Sequence, residues 1–150
     1  MINPMAGISA RIILCDYAQA SPDGKLHMIG AHWSFINPGA ASFGIGITLE
    51  VDQSEMVKPH SFELVLRDAD GHLVNDPMGN PVRINGTAPP QTHPPDHPAG
   101  MPVKAALAFN LAGLPLQPSS RYQLVFTVDN ASMVVEDFST RAAPPQLKAS

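Results

Sequence analysis

Charged residues are scarce in this chain, and the basic ones are scattered. Only 15% of the 150 residues are charged and the net charge is −4, whereas about a quarter of residues is typical. The nine Lys and Arg residues run from Arg11 to Lys148 without a cluster that could follow a phosphate backbone. Long apolar runs are also missing, so no segment is predicted to span a bilayer. The composition argues against nucleic-acid and membrane partners.

Cysteine is nearly absent. Cys15 is the single one, so the chain cannot form an internal disulfide, which is typical of a reducing compartment. The first ten residues, MINPMAGISA, also lack the basic and apolar regions of a secretory signal peptide. We therefore expect a cytoplasmic protein.

Helical periodicity is absent too, and short runs of alternating apolar residues take its place. The clearest run is SFGIGITLEV at 42–51, whose period of two is that of a half-buried β-strand. The glycines on its other face, Gly44 and Gly46, either permit close approach of another backbone or mark twist and a bulge. Similar runs are SFELVLRD (61–68), VKAALAFNL (103–111), YQLVFTVD (122–129) and MVVEDFST (133–140).

Turn signals separate these runs. Ser21-Pro22-Asp23-Gly24 lies between the apolar runs that begin near Ile13 and end at Ile36, and it predicts an opening β-hairpin. Asp68 to Gly71 and Asp129-Asn130 predict two further hairpin turns. Asp52 to Pro59 has room for a single helical turn.

Seven or eight short strands with such turns predict an all-β fold. We expect one antiparallel β-sandwich, immunoglobulin-like or of a related Greek-key type, over residues 10–141. A closed β-barrel is the alternative. Residues 1–9 are expected to form a flexible leader and residues 142–150 a tail.

A proline-rich segment interrupts the strand pattern. Residues 87–100, TAPPQTHPPDHPAG, predict an extended, polyproline-like surface loop without ladder hydrogen bonds. A loop of this length in a compact domain is usually functional or disordered. It is the most unusual feature of the chain.

Two segments resemble a known group of proteins. LCDYA (14–18) followed by DGKLHMIG (23–30) resembles the opening of an uncharacterised family of small bacterial β-sandwich proteins, and LPLQPSSRYQLVFTVDN (114–130) resembles its last hairpin. FELVLRDADG (62–71) is similar more loosely, whereas the Pro/His loop departs from the family. The resemblance implies a fold without a known activity, and it transfers no functional residues.

The sequence contains one candidate nucleophile–base set. Cys15 and Asp16 lie on the first run, and His27 and His32 lie on the second. Simple registers across the turn place Cys15 opposite Gly30 or Ala31, with both histidines displaced. A cysteine in an apolar strand is most often a small hydrophobic residue, and no orienting group or oxyanion donor is apparent. We expect no enzyme.

Two groups of residues are candidates for metal binding. His93 and His97, with Asp96 between them, have the spacing of a chelating pair on a helix, but Pro94 and Pro95 prevent the helix that would preorganise the site. The carboxylates before Gly71 lack the spacing and the distal Glu of a calcium loop. We expect neither a metal site nor a cofactor.

The remaining candidates indicate protein binding. Trp33 and its neighbour His32 form a possible aromatic anchor, although a lone Trp in a sandwich is more often packed between the sheets. Pro94 and Pro95 lie in a segment that can dock into an aromatic groove. The sequence favours a non-enzymatic interaction or structural module that binds another protein or a second copy of itself through a sheet edge or the Pro-rich loop. The alternative is a module that binds a small ligand or metal through the His93–His97 loop.

Overall fold

The computed structural model describes residues 7–92 and 94–143, except for the side chains of residues 132 and 133. These residues form ten strands and one helical turn. The elements are β1 (Ile8–Cys15), β2 (Tyr17–Ala20), β3 (Leu26–Ile29), β4 (Phe35–Ile36), β5 (Gly39–Val51), α1 (Gln53–Met56), β6 (His60–Asp68), β7 (Arg83–Ala88), β8 (Val103–Leu116), β9 (Arg121–Val128) and β10 (Ala131–Thr140).

Eight of these strands form two sheets. The three-stranded sheet has the order β1-β5-β8, and the five-stranded sheet has the order β4-β10-β9-β6-β7. The pairing is antiparallel except between β4 and β10, which run parallel over two residues. The predicted all-β sandwich is confirmed, and the closed barrel is not the observed architecture.

The core lies between the two sheets, where the predicted alternation places its apolar side chains. On β5, Phe43, Ile45 and Ile47 are at most 1% exposed. Complete burial of one such side chain contributes roughly 1.5–3 kcal/mol to stability. The facing residues include Leu64 and Leu66 of β6, and Tyr122, Leu124, Phe126 and Val128 of β9.

The opening hairpin is shorter than predicted. Only β2 pairs with β3 across the Ser21–Lys25 turn, where Gly24 has a φ of 85°. The preceding apolar run, β1, pairs with β5, for example Ile12 with Ile47. The reason is burial, since every second residue of β1 faces the core. These side chains pack best beside a strand whose apolar face is also buried, and β5 provides one.

The β2–β3 hairpin lies on the outer face of the three-stranded sheet, and the glycines of β5 make room for it. A Cβ on Gly46 would lie 2.7 Å from Met28 Sδ, and one on Gly44 would lie 2.8 Å from the Ala18 nitrogen. Gly44 therefore permits the close approach of a backbone, as one of the two interpretations predicted, whereas Gly46 makes room for the Met28 and Leu26 side chains. Asn110 of β8 fixes the hairpin, because its amide accepts from the Ala18 N–H at 3.0 Å and donates to the Ala18 carbonyl at 2.8 Å.

Two of the predicted irregular segments have other boundaries in the structure. β1 begins at Ile8, whose pairing with Val51 makes residues 8 and 9 part of the strand instead of the leader. β7 includes Thr87 and Ala88, because they pair with Ser61 and His60, so the irregular loop begins two residues later than expected. The single helical turn and the predicted turns are present, and Asp129 and Asn130 both have positive φ.

Candidate functional site

The two sheets differ in width, and this leaves the edge of the sandwich beyond β8 uncovered. β6 lies opposite β8, since the rings of Phe62 and Phe109 are 6.3 Å apart. β7 continues the five-stranded sheet beyond β6, whereas the three-stranded sheet ends at β8. Within the described residues, β7 therefore has no strand opposite it.

The apolar side chains along this edge are only half-buried. Leu107 and Phe109 of β8 pair with Ile47 and Ile45 of β5, which are 0% exposed. The β8 residues face the same core, yet they are not fully covered, because β8 is the last strand of its sheet and no strand pairs with its outer edge. The half-buried apolar residues at this edge are Phe62, Ile84, Leu107, Phe109 and Leu111.

A groove of about 250 Å³ opens between the sheets here. Its walls are mainly apolar, and its charged lining residues, Lys58, His60 and Lys104, are all basic. We call this the edge groove. Its other lining residues include Val51, Met56, Phe62, Ala88, Pro89, Gln91, Val103, Ala105, Leu107, Phe126 and Val128.

His60, at the start of β6, is held at both ring nitrogens. Nδ1 lies 2.6 Å from Asp129 Oδ2, and Nε2 lies 2.7 Å from the Glu55 carbonyl oxygen. Burial lowers the pKa of His60, but the hydrogen bonds to Asp129 and Glu55 outweigh it, so the pKa lies above the usual 6.5. The same contact and the Ser61 N–H hold the pKa of Asp129 below its usual value. A doubly donating, cationic imidazole fits this geometry.

This His–Asp pair lacks the arrangement of a catalytic triad. The backbone carbonyl of Glu55 occupies Nε2, the nitrogen that would take a proton from a nucleophile. The neighbouring hydroxyl of Ser61 contacts Asp129 Oδ1 at 3.4 Å instead. The pair connects α1, β6 and the β9–β10 turn.

The Pro-rich loop borders the edge groove. Pro89 and Gln91 line the groove, and the Gln91 N–H donates to the Met56 carbonyl at 2.8 Å. The Gln53 side chain donates to the carbonyls of Pro98 and Met101 at 2.7 and 3.1 Å. Turns close at Pro94–His97 and Pro98–Met101, so these parts of the predicted extended, polyproline-like loop fold back on themselves.

The metal candidates have different surroundings. His93 lies outside the described residues. His97 Nε2 is 2.9 Å from the Met101 carbonyl oxygen and 3.2 Å from that of Pro102. A protonated Nε2 can therefore donate a hydrogen bond to either oxygen. Asp96 is exposed.

Asp68, Asp70 and His72 each have a possible ligand atom within 4.8 Å of the others. Their arrangement follows from the turn, because Asp68 Oδ1 accepts from the backbone N–H groups of Asp70 and His72. Asp76 makes the same contacts to Met78 and Asn80. This geometry is that of a hairpin turn, as predicted from the sequence.

The four residues predicted to bind a partner lie in two separate places. Trp33 is half-buried and packs edge-on against Phe43 and Phe138, 5.6 and 5.9 Å between ring centroids, while His32 is exposed. Pro94, half-buried, and Pro95, exposed, belong to the loop beside α1, at the other end of β5. At about 3.3 Å per residue, the two places are roughly 25 Å apart.

Cys15 is fully buried. Burial, followed by the neighbouring charge of Asp16, raises the pKa of its thiol. Within the described residues no hydrogen bond joins it to His27 or His32, and the His27 ring contacts Ser21 Oγ at 3.3 Å.

Sequence reasoning did not find the edge groove or the contact between His60 and Asp129. The groove depends on which strands face each other, and the contact joins residues 69 positions apart. The sequence does contain one signal of the edge strand: VKAALAFNL (103–111) alternates like a strand and contains a single charge.

Comparison with known proteins adds the family. No curated protein matches the chain. Among the described residues, no helix is long and apolar enough to cross a bilayer. The model of a family described as a family of unknown function (DUF6941) matches residues 10–139. Since this match covers most of the chain and agrees with the resemblance to an uncharacterised family, the chain belongs to DUF6941.

Proposed function

We propose that this protein is a non-enzymatic interaction module that binds an apolar segment of another protein in the edge groove. The observation that carries the proposal is the unequal width of the two sheets. It leaves half-buried apolar side chains at β7 and β8, where a fully covered sandwich would bury them. Exposed sheet edges next to apolar surface are sites at which proteins add a partner.

Two further observations support binding over catalysis. The ring nitrogens of His60 both contact acceptors of the protein itself, and the buried thiol of Cys15 has a raised pKa. The edge groove also places the sheet edge and the Pro-rich loop side by side, so both surfaces can contribute to one partner site. We also propose a cytoplasmic location in a bacterium, which the lone reduced cysteine and the family resemblance support.

A selection experiment tests the proposal. Peptides that bind the full-length protein are selected from a random display library and measured against variants. Ala105 is exposed on β8 and lines the groove, so Ala105→Arg should block entry and weaken binding at least about tenfold, the loss of roughly 1.4 kcal/mol. Ala88→Arg should also block entry and weaken binding, because Ala88 lines the opposite wall of the groove.

Ala40→Arg is the matched control, since Ala40 is exposed at the far end of β5, opposite Pro115. This variant should bind like the wild type. If the selected peptides bind all three variants equally, or if no peptide is enriched, the proposed function is wrong.

A small apolar ligand is the second candidate, because the groove encloses about 250 Å³ and the Pro-rich loop contributes to its walls. Native mass spectrometry of the untagged protein distinguishes the two. A small adduct that Ala105→Arg removes would favour the ligand, whereas a protein-sized increment would favour the interaction module.

A further inference from the structure

We infer, on the basis of the proposed function, that the occupant of the edge groove is a single extended segment of a partner protein. It adds to the three-stranded sheet as a fourth strand beside β8. Three properties of the described residues lead to this assignment: an unprotected strand edge, the space opposite β7 and the charges around the groove.

The edge of β8 lacks the features that usually prevent strand addition. Residues 103–111 contain one charge, Lys104, and no proline, whereas edge strands are commonly blocked by charges, prolines or bulges. Such features begin later, with the irregular register at Gly113, whose φ is 66°, and with Pro115. Apart from the ladder with β5, residues 103–111 make no backbone–backbone hydrogen bond within the described chain.

A lone strand fits the space beside β8, but a second copy of this sandwich does not. An added strand would lie opposite β7, because β6 already lies opposite β8. If a second copy paired its own β8 with β8 of the first copy, that added strand would bring its β6 along, in the opposite layer. The position that this β6 requires is already occupied by β7 of the first copy. The two strands would collide, which excludes symmetric pairing of β8 with β8.

The chemistry of the groove specifies the pattern of the segment. Alternate side chains of an added strand would point between the sheets, towards Phe62 and Ile84, and one large apolar side chain would enter the cavity. Of the basic residues that line the groove, Lys58 pairs with Glu55 and His60 with Asp129, whereas Lys104 has no ion pair among the described residues. We therefore assign a segment with apolar residues at every second position and an acidic residue near Lys104.

Hydrogen exchange and backbone methylation test the strand geometry on the full-length protein, with a selected peptide as the probe. Binding should slow amide exchange within residues 103–111. N-methylation of single peptide amides should weaken binding at every second position, by about threefold to tenfold for each lost hydrogen bond, and have little effect at the positions between. The enriched peptides should show the alternating apolar pattern.

The outcomes separate this inference from the proposed function. A peptide that loses affinity for Ala105→Arg but leaves the exchange of 103–111 unchanged binds the groove without adding a strand, which overturns the inference alone. Protection of 103–111 in a dimer without peptide would also overturn it. Equal binding to Ala105→Arg, Ala88→Arg and Ala40→Arg would overturn both.

Discussion

His60 Nδ1 lies 2.6 Å from the carboxylate of Asp129, across 69 residues of sequence. Through this contact the first residue of β6 holds the turn that joins β9 to β10, and through Nε2 it holds the end of α1. One imidazole thus fixes three elements at the end of the sandwich where the edge groove lies.

This contact should make stability depend on pH. The pKa of His60 is raised above its unfolded value of 6.5, so its contribution is complete below pH 6.5 and is lost as the pH rises through the folded pKa. The pKa of Asp129 is lowered from 3.8, so its contribution is present above 3.8 and is lost as the pH falls through its folded pKa. The contribution of the pair should therefore be largest near pH 5.

Urea unfolding of His60→Gln and wild type between pH 4 and 9 measures this effect. The difference in unfolding free energy should be about 1 kcal/mol near pH 5, since partial exposure of Asp129 weakens a charge-assisted bond, and it should shrink above pH 7. His72→Gln is the control, because that imidazole is exposed and lies 3.9 Å from Asp68. A difference that does not vary with pH would refute the interpretation.

Asn110 should be required for docking of the β2–β3 hairpin. Asn110→Ala removes both hydrogen bonds to Ala18, whose backbone is buried. An unsatisfied buried group costs about 1–3 kcal/mol, so the variant should unfold more easily and the Ala18 amide should exchange faster.

Asn85→Ala provides the comparison, since Asn85 is exposed on β7 and makes no side-chain hydrogen bond within the described chain. Unchanged exchange at Ala18 in Asn110→Ala would show that the hairpin is held by packing alone.

The thiol of Cys15 should be unreactive in the native protein. It is 0% exposed, and its raised pKa keeps it protonated. A thiol-specific reagent should label wild type only after denaturation. In a Cys15→Ala/Ser34→Cys variant, the exposed cysteine should react at once and act as the positive control. Rapid labelling of native wild type would contradict the view that Cys15 is a packing residue.

Zinc titration should give no saturable tight site. His97 Nε2 lies within hydrogen-bond distance of two carbonyl oxygens, which a metal would have to displace. A 1:1 isotherm that His97→Ala abolishes would overturn this prediction for the loop, whereas one that Asp70→Asn abolishes would locate the metal at the Asp68–His72 turn.

Local patterns were enough to predict most of the strands. The alternation in 42–51 gave the buried face of β5, and Asp-Gly and Asp-Asn gave the turns, because both depend on neighbouring residues. The pairing of Ile12 with Ile47 could not be predicted in this way. Two apolar runs on either side of a turn signal predict one hairpin. The sequence does not reveal that the first run pairs with β5 in the core instead.

The candidate site was harder to predict, for a related reason. Phe62 and Leu107 look like ordinary core residues in the sequence, and only the unequal width of the sheets leaves them half-buried. Trp33 was considered as either anchor or core, and its packing against Phe43 favours core.

The strand order β1-β5-β8 also has a consequence for synthesis. It places Ile8, Val51 and Val103 in one row, so the first strand cannot complete its sheet until the chain has been made to residue 116. The other sheet needs β10 and ends at Thr140. A ribosome therefore delivers nearly the entire domain before either layer can close, and the nascent chain must keep its apolar strands from other chains until then.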